Sequence, residues 1–247
     1  MSHDDGSMKV IEYQGSRLAT EAERARVRTL FAENGFKRSQ AEVDWIYRPC
    51  RGVLPHATFA VSGGKTAGLY AAVPSRFWLD GESVEAAQSL DTMVDERFRG
   101  MGLFTKLASR TYEEMSRDGV AFVFGFPNGN SHHGFVTKLD WISLDPVPFL
   151  FRPLRVGYLL GRLMPWFRGR LRLPVPILGA RGRSAELGSL PDAEKVDRLW
   201  ERVRAGLSVA RERTASYLAE RFEAKPGSRY RFRAIERDGE LLALAIY

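Results

Sequence analysis

The sequence predicts an α/β chain of the α+β kind: a mixed, mostly antiparallel central sheet flanked by helices, with an extra C-terminal αβ segment. Three observations carry this. Strand-like runs in mid-chain are joined by Gly turns at Ser62-Gly63-Gly64 and Asp80-Gly81, both hairpin chemistry. Helix start and stop signals stand before and after them. A continuous apolar run, VAFVFGF at 120–126, follows a helical stretch and has the length of a buried strand.

The elements follow in order. KVIEY (9–13) reads as a short strand. Thr20 with Glu23 forms a capping box that opens a helix, and Asn34-Gly35 stops it. Ser39 with Glu42 opens a second helix the same way, and Pro49 ends it. The two hairpin strands and a third run, SVEAAQSLDTMV, come next. After the stretch RFRGMGLFTK (97–106), apolar residues recur at 103, 104, 107, 108 and 115, a helical spacing, until Asp118-Gly119. Beyond the apolar strand, NGNSHHGFVTKLDW is a loop and short helix, and ISLDPVPFLF a strand with a Pro-broken end. DAEKVDRLWERVRAG and RERTASYLAERFEA read as helices, and the final stretch as a hairpin turned at Asp238-Gly239.

Charge is uneven. The net charge is +7, yet eight of the 37 basic residues are arginines between Arg152 and Arg183, a span without Asp, Glu or Lys. Such a local stretch suits an anionic partner. Arg interrupts each of its apolar runs, so it cannot span a bilayer. The reading ranks it first as a connector, then as a lid binding an anionic acceptor, then as a membrane-surface segment; nucleic acid is disfavoured because no binding module is recognisable. A single cysteine, Cys50, excludes an internal disulfide and a multi-Cys zinc site, and points to a reducing, cytoplasmic setting. The polar, acidic N-terminus does not read as a signal peptide. No metal site is expected.

The glycines of RFRGMGLFTK lie between a strand and a helix start. Gly permits positive φ and close approach of a ligand to backbone N–H groups, and a helix N-terminus adds unpaired donors. With Arg97 and Arg99 beside them, these features suit a pyrophosphate. The alternative is a turn that needs Gly only for its angles. No Gly-Lys-Ser/Thr follows at Walker spacing, and the third Gly and downstream acid of a dinucleotide fingerprint are missing.

Arg97-Phe98-Arg99-Gly100-Met101-Gly102 resembles the signature Gln/Arg-x-x-Gly-x-Gly/Ala of the GNAT family of N-acetyltransferases, and the element order over about residues 8–150 is similar to that family's. The resemblance implies a GNAT fold and acetyl-CoA as cosubstrate. Its pyrophosphate would lie on Arg97, Arg99, Gly100, Met101, Gly102, Leu103, Phe104 and Thr105. Its pantetheine arm would pair with the strand at Met93 and Val94 and pack near Asn130. It implies acetyl transfer to a primary amine of a small molecule or amino sugar. A later family motif, an Asn before a short helix ending Lys-x-Gly-Phe, is matched at Lys138 but carries Asp140-Trp141 in place of Gly-Phe. The family's usual acid, a Tyr two residues before that Lys, is Val136 here.

Three residues are candidates to fill the catalytic roles. His132 and His133 lie beside the expected thioester, and His is a residue type suited to acid or base work; the bland reading is a loop or cap His. Asp91 stands in a strand that disfavours Asp, on the face of Met93 and opposite Thr92; it would act as base or ammonium anchor, or make a salt bridge. Trp45 reads as core, next to Tyr47 and Arg48 in the region where the family varies for its acceptor. The missing Tyr keeps a non-catalytic acyl-CoA sensor open as the alternative, and the arginine stretch a membrane-peripheral assembly protein. The expected organisation is a GNAT domain over 8–150, an Arg/Pro-rich connector over 151–185 and an αβ segment over 186–247. That segment echoes residues 44–73 about 175 positions on, either as a partial second copy ending at Tyr247 or as a common αββ order.

Overall fold

The computed structural model describes residues 10–145 and 184–247. The arginine stretch and most of ISLDPVPFLF lie outside them; residues 142–145 carry no strand. No helix among the described residues is long and apolar enough to cross a membrane.

The chain runs β1 (Glu12–Ser16), α1 (Glu21–Glu33), α2 (Gln40–Ile46), β2 (His56–Ser62), β3 (Lys65–Leu79), β4 (Glu82–Val94), a 3₁₀ turn (Glu96–Phe98), α3 (Leu103–Arg117), β5 (Phe122–Gly125) and α4 (Gly129–Lys138). It resumes with β6 (Ser184–Leu187), α5 (Ala193–Arg204), β7 (Val209–Arg211), α6 (Ala215–Leu218), a π turn (Ala219–Glu223), β8 (Phe232–Arg237) and β9 (Glu240–Ile246). β1 to β5 lie side by side in chain order; β1 to β4 are antiparallel and β4–β5 is parallel. The fold is therefore the expected mixed, mostly antiparallel sheet flanked by helices.

Local chemistry explains the parts that were expected. Thr20 Oγ1 accepts from the Glu23 N–H while the Glu23 carboxylate accepts from the Thr20 N–H, a complete capping box. At the β3–β4 turn Asp80 and Gly81 both have positive φ, 45° and 100°, as a two-residue hairpin loop requires. Pairing with β2 overrides local propensity in β1, which starts at Glu12 and carries on through Gln14-Gly15-Ser16 opposite Phe59-Thr58-Ala57. The expected second C-terminal helix is shortened to α6 and a π turn. β7 was not expected at all; it pairs with Phe77–Leu79 on the edge of β3 that β2 uses farther back.

The sheet serves two layers. Leu69, Ala71 and Val73 pack with Val27, Leu30 and Val43 of α1 and α2. Tyr70 packs on the other side with Leu103 and Leu107 of α3 and Phe135 of α4, and Ala72 and Ala87 with Met115 of α3. A third cluster, Val196, Leu218, Ala234 and Leu241, holds the C-terminal segment together.

Candidate active site

β4 decides where a ligand can enter. From Ala86 to Ser89 it is paired on both edges, with β3 and with Phe122–Gly125 of β5. The β3 register then skips Leu90: Ala72 lies opposite Ser89 and Ala71 opposite Asp91. β5 ends at the same level, so no described strand pairs the outer edge of β4 from Leu90 to Val94. A β-bulge increases local twist and bends the strand. Here it stands where β4 parts from β5, and the outer backbone groups of Leu90–Val94 have no strand partner among the described residues, which makes a wedge between the two strand ends.

The bulge also turns Asp91. In an uninterrupted strand Ala87, Ser89 and Asp91 would share a face. Ala87 packs on α3, but Asp91 lies on the α1/α2 side. There Arg38 donates to both its oxygens, one at 3.0 Å, and the Tyr47 hydroxyl donates as well. Asp91 is only 4% exposed and Tyr47 fully buried. Burial pushes the Tyr47 phenol well above its usual pKa, and the Asp91 carboxylate adds to this, so the hydroxyl stays a donor. Met93 packs into the same layer and Val94 into the α3 layer.

The glycine loop is built from the inside. Asp95, 3% exposed, caps the 3₁₀ turn through the Arg97 N–H at 3.0 Å and grips the Arg97 guanidinium at 2.8 Å through both Nε and Nη2. Arg99 pairs with Glu96 at 3.3 Å. The two arginines expected to supply charge are thus each partnered by a loop carboxylate, and the loop is close to neutral. What remains for an anion is backbone. Gly100 and Gly102 have φ of 80° and 71°, and Gly102 is the N-cap of α3 without a side chain to cap it. α3 has no acid in its first turn, and the Lys106 N–H donates to the Gly102 carbonyl at 3.3 Å, closing the first turn of the helix. The N–H groups of Leu103, Phe104 and Thr105 therefore begin the helix as donors without an intrahelical acceptor.

The Arg97 hydrogen bonds hold the Asp95 carboxyl down to about 2 from an ordinary 3.8. With a depressed folded pKa, the contribution is present above the unfolded value and is lost as pH falls toward the folded one. Allowing for solvent around the half-exposed Arg97, it is worth about 1–2 kcal/mol at neutral pH. Stability measured by denaturant titration is expected to fall by that amount between about pH 4 and pH 2, and this part of the fall is expected to vanish in Asp95→Asn.

α4 starts at Asn128, whose side chain accepts from the N–H groups of Asn130 and Ser131. His132 and His133 are exposed on it, and Phe135 anchors it to the α3 layer. The structure accordingly places Asp91 and the histidines on opposite sides of the sheet. Val136, where a Tyr was sought, is half-buried. The Asp140-Trp141 departure is conservative in physical terms. Asp140 has φ of 53°, the left-handed conformation a Gly would adopt there. Trp141 packs on Phe135 at 4.5 Å, donates to the Tyr112 hydroxyl at 2.9 Å and lies against Gly125 at the base of the wedge. Tyr112 in turn shares a 2.8 Å hydrogen bond with Tyr70.

Sequence reasoning missed Arg38 and Asp95, each an ordinary charged residue until folding supplies its partner. Trp45 is not core: half-buried, it donates to the Glu220 carbonyl at 3.0 Å and carries Arg221 over its ring at 4.9 Å. Cys50 is half-buried and burial pushes its thiol pKa up, which suits an inert thiol.

Residues 16–142 match the family described as Acetyltransferase (GNAT) domain. The chain belongs to the GNAT acetyltransferase family. The match ends one residue past Trp141 and so takes in the bulge, the glycine loop and α4 of this GNAT protein. Similar solved structures include an acetyltransferase of Trypanosoma brucei, at 18% identity and TM-score 0.46, covering 58% of this chain and all of that one. Others are an aminoglycoside acetyltransferase from an uncultured soil metagenomic sample (16%, 0.44, 58% and 99%) and glucosamine-6-phosphate N-acetyltransferase from Arabidopsis thaliana (14%, 0.44, 58% and 99%). No curated protein matches the sequence.

Proposed function

We propose that this GNAT domain is an N-acyltransferase that moves an acetyl group from acetyl-CoA to a primary amine of a small molecule. One observation carries the reading: an uncapped helix N-terminus behind two positive-φ glycines opens beside an unpaired stretch of β4. The first suits a pyrophosphate, the second an extended amide-bearing arm. A strand N–H between Leu90 and Val94 would polarise the thioester carbonyl. The amine would attack that carbon, its nitrogen forming the new amide bond as the C–S bond breaks, and the proton that the nitrogen loses balances the one that the departing thiolate takes up.

The two sides of the sheet divide the work of positioning the acceptor and of protonating the thiolate. We place the acceptor on the Asp91 side and assign Asp91 as a positioning residue, because Arg38 and Tyr47 already take its oxygens. His132 and His133, exposed on α4, are proposed to return a proton on the thiol side, in place of the absent Tyr. A cytoplasmic setting fits the single cysteine.

Free-thiol release from acetyl-CoA, followed with a panel of primary amines, tests the reading. Release that depends on the amine is expected. In His132→Ala/His133→Ala a fall in kcat of about 10- to 100-fold is expected. Binding of acetyl-CoA without release for any amine would favour the sensor, the second reading that Val136 keeps in play.

A further inference from the structure

Other half-buried arginines are matched by carboxylates: Arg38 pairs with Asp91 and Arg76 with Glu85. Arg211, on β7, is not. Its Nη2 donates to Ser75 Oγ at 2.7 Å and its Nη1 reaches Gln88 Oε1 at 3.5 Å, but its Nε is buried with no acceptor. Its other close partners are rings, Tyr217 at 4.8 Å and Phe124 at 5.8 Å. Among the described residues no carboxylate lies within ion-pair distance of it.

The guanidinium borders a recess of about 60 Å³ between the end of α2 and the α6 region. Trp45, Val73 and Tyr217 form its apolar walls, and Arg48 and Arg221 line it as well. Glu220 is the one acid lining it, and its field acts on Arg48 and Cys50. Three cations therefore share the recess with one anion. Burial pushes the Arg211 pKa down, Tyr217 works against this and the neighbouring Arg221 adds to it. An uncompensated buried charge is costly, and an oxyanion entering the recess would relieve it.

The position fits an acceptor. Val73 lies opposite Gln88 and Ala71 opposite Asp91, and Ala71 and Val73 pack in one layer, so Gln88 and Asp91 share the α1/α2 side of the sheet. Gln88, which the Arg211 guanidinium reaches, is two to three residues before the bulge, a distance along β4 of about 7–10 Å at ~3.3 Å per residue.

We propose that Arg211, carried onto the sheet by β7, anchors a carboxylate or phosphate group of the acceptor, whose amine lies about 7–10 Å away at the wedge. This rests on the acyltransfer reading above. It gives the C-terminal segment a part in the site: without β7 the recess has no Arg211.

The test compares 6-aminohexanoate, 6-aminohexyl phosphate and neutral 6-aminohexanamide as acceptors for the full chain with acetyl-CoA, and titrates the same compounds calorimetrically without acetyl-CoA. Wild type is expected to favour an anionic compound over the amide by about 10- to 100-fold in kcat/KM, mainly through KM. The preferred anion identifies the group. In Arg211→Gln that preference is expected to be lost, while Arg237→Gln, in the β8–β9 hairpin, keeps it. Equal kcat/KM for all three compounds in wild type would overturn the anchor and leave acyltransfer standing, even if the variant fails to fold. Anion binding that Arg211→Gln abolishes, with no thiol released for any amine, would uphold the anchor and overturn the acyltransfer reading. Anion binding unchanged in a folded Arg211→Gln would overturn the anchor.

Discussion

Replacing Gly100 by Asp is expected to weaken acetyl-CoA binding by at least about 100-fold, close to 3 kcal/mol. Two effects combine. Gly100 has φ of 80°, a conformation an L side chain adopts only under strain, so the loop geometry shifts at a cost of about 1–2 kcal/mol. The new carboxylate also sits in front of the open N–H groups of α3, where it takes the donors and repels a pyrophosphate. Gly64→Asp is the control, since Gly64 has φ of 76° in the β2–β3 turn and an equally open surround. It carries the same strain and charge and is expected to leave affinity within twofold. Gly100→Ala separates the strain from the charge and should fall between the two. Calorimetric titration with acetyl-CoA reads all three. Equal affinity in Gly100→Asp and wild type would remove the glycine loop from the site.

The second large effect is on stability. Asp91→Asn is expected to lower it by about 3 kcal/mol, since removing one member of a buried ion pair strands the other. Arg38 keeps its charge and Tyr47 keeps a buried hydroxyl, while the amide offers a neutral oxygen in place of the two anionic ones. For a chain of this size the melting temperature should drop by about 6–12 °C. Adding Arg38→Met should recover part of the loss, because the stranded cation is then gone, and a double-mutant cycle should return a coupling of about 1–3 kcal/mol. A melting temperature within two degrees of wild type in Asp91→Asn would mean that the pair contributes little to the fold. Kinetics of the same variant bear on the positioning role: a changed KM for the amine at unchanged KM for acetyl-CoA is the expected split.

Several features were readable without coordinates because a few adjacent residues settle them. Thr20 and Glu23 cap each other within one turn, and Asp80-Gly81 and Asp238-Gly239 take up positive φ on their own account. The Gly100–Gly102 loop and the helix behind it were readable for the same reason. So was the alternation that puts Asp91 on the face of Met93, since they are two positions apart after the bulge.

Other features depend on partners far along the chain. The skip at Leu90 is set by β3 on one edge and the end of β5 on the other, and nothing in SLDTMV announces it. That skip decides which side of the sheet Asp91 shares with the helices, and hence that Arg38 and Tyr47 meet it while His132 and His133 do not. Arg97 looked like a free cation until Asp95 was found holding it. β7 is three residues long, and the edge of β3 that it joins exists only in the folded sheet. Turn angles, caps and the glycine loop are energies of neighbours, so the sequence by itself determined them and with them the GNAT signature. Strand register, ion-pair partners and the arrival of Arg211 are energies of contacts between distant segments, and only the tertiary structure decided those.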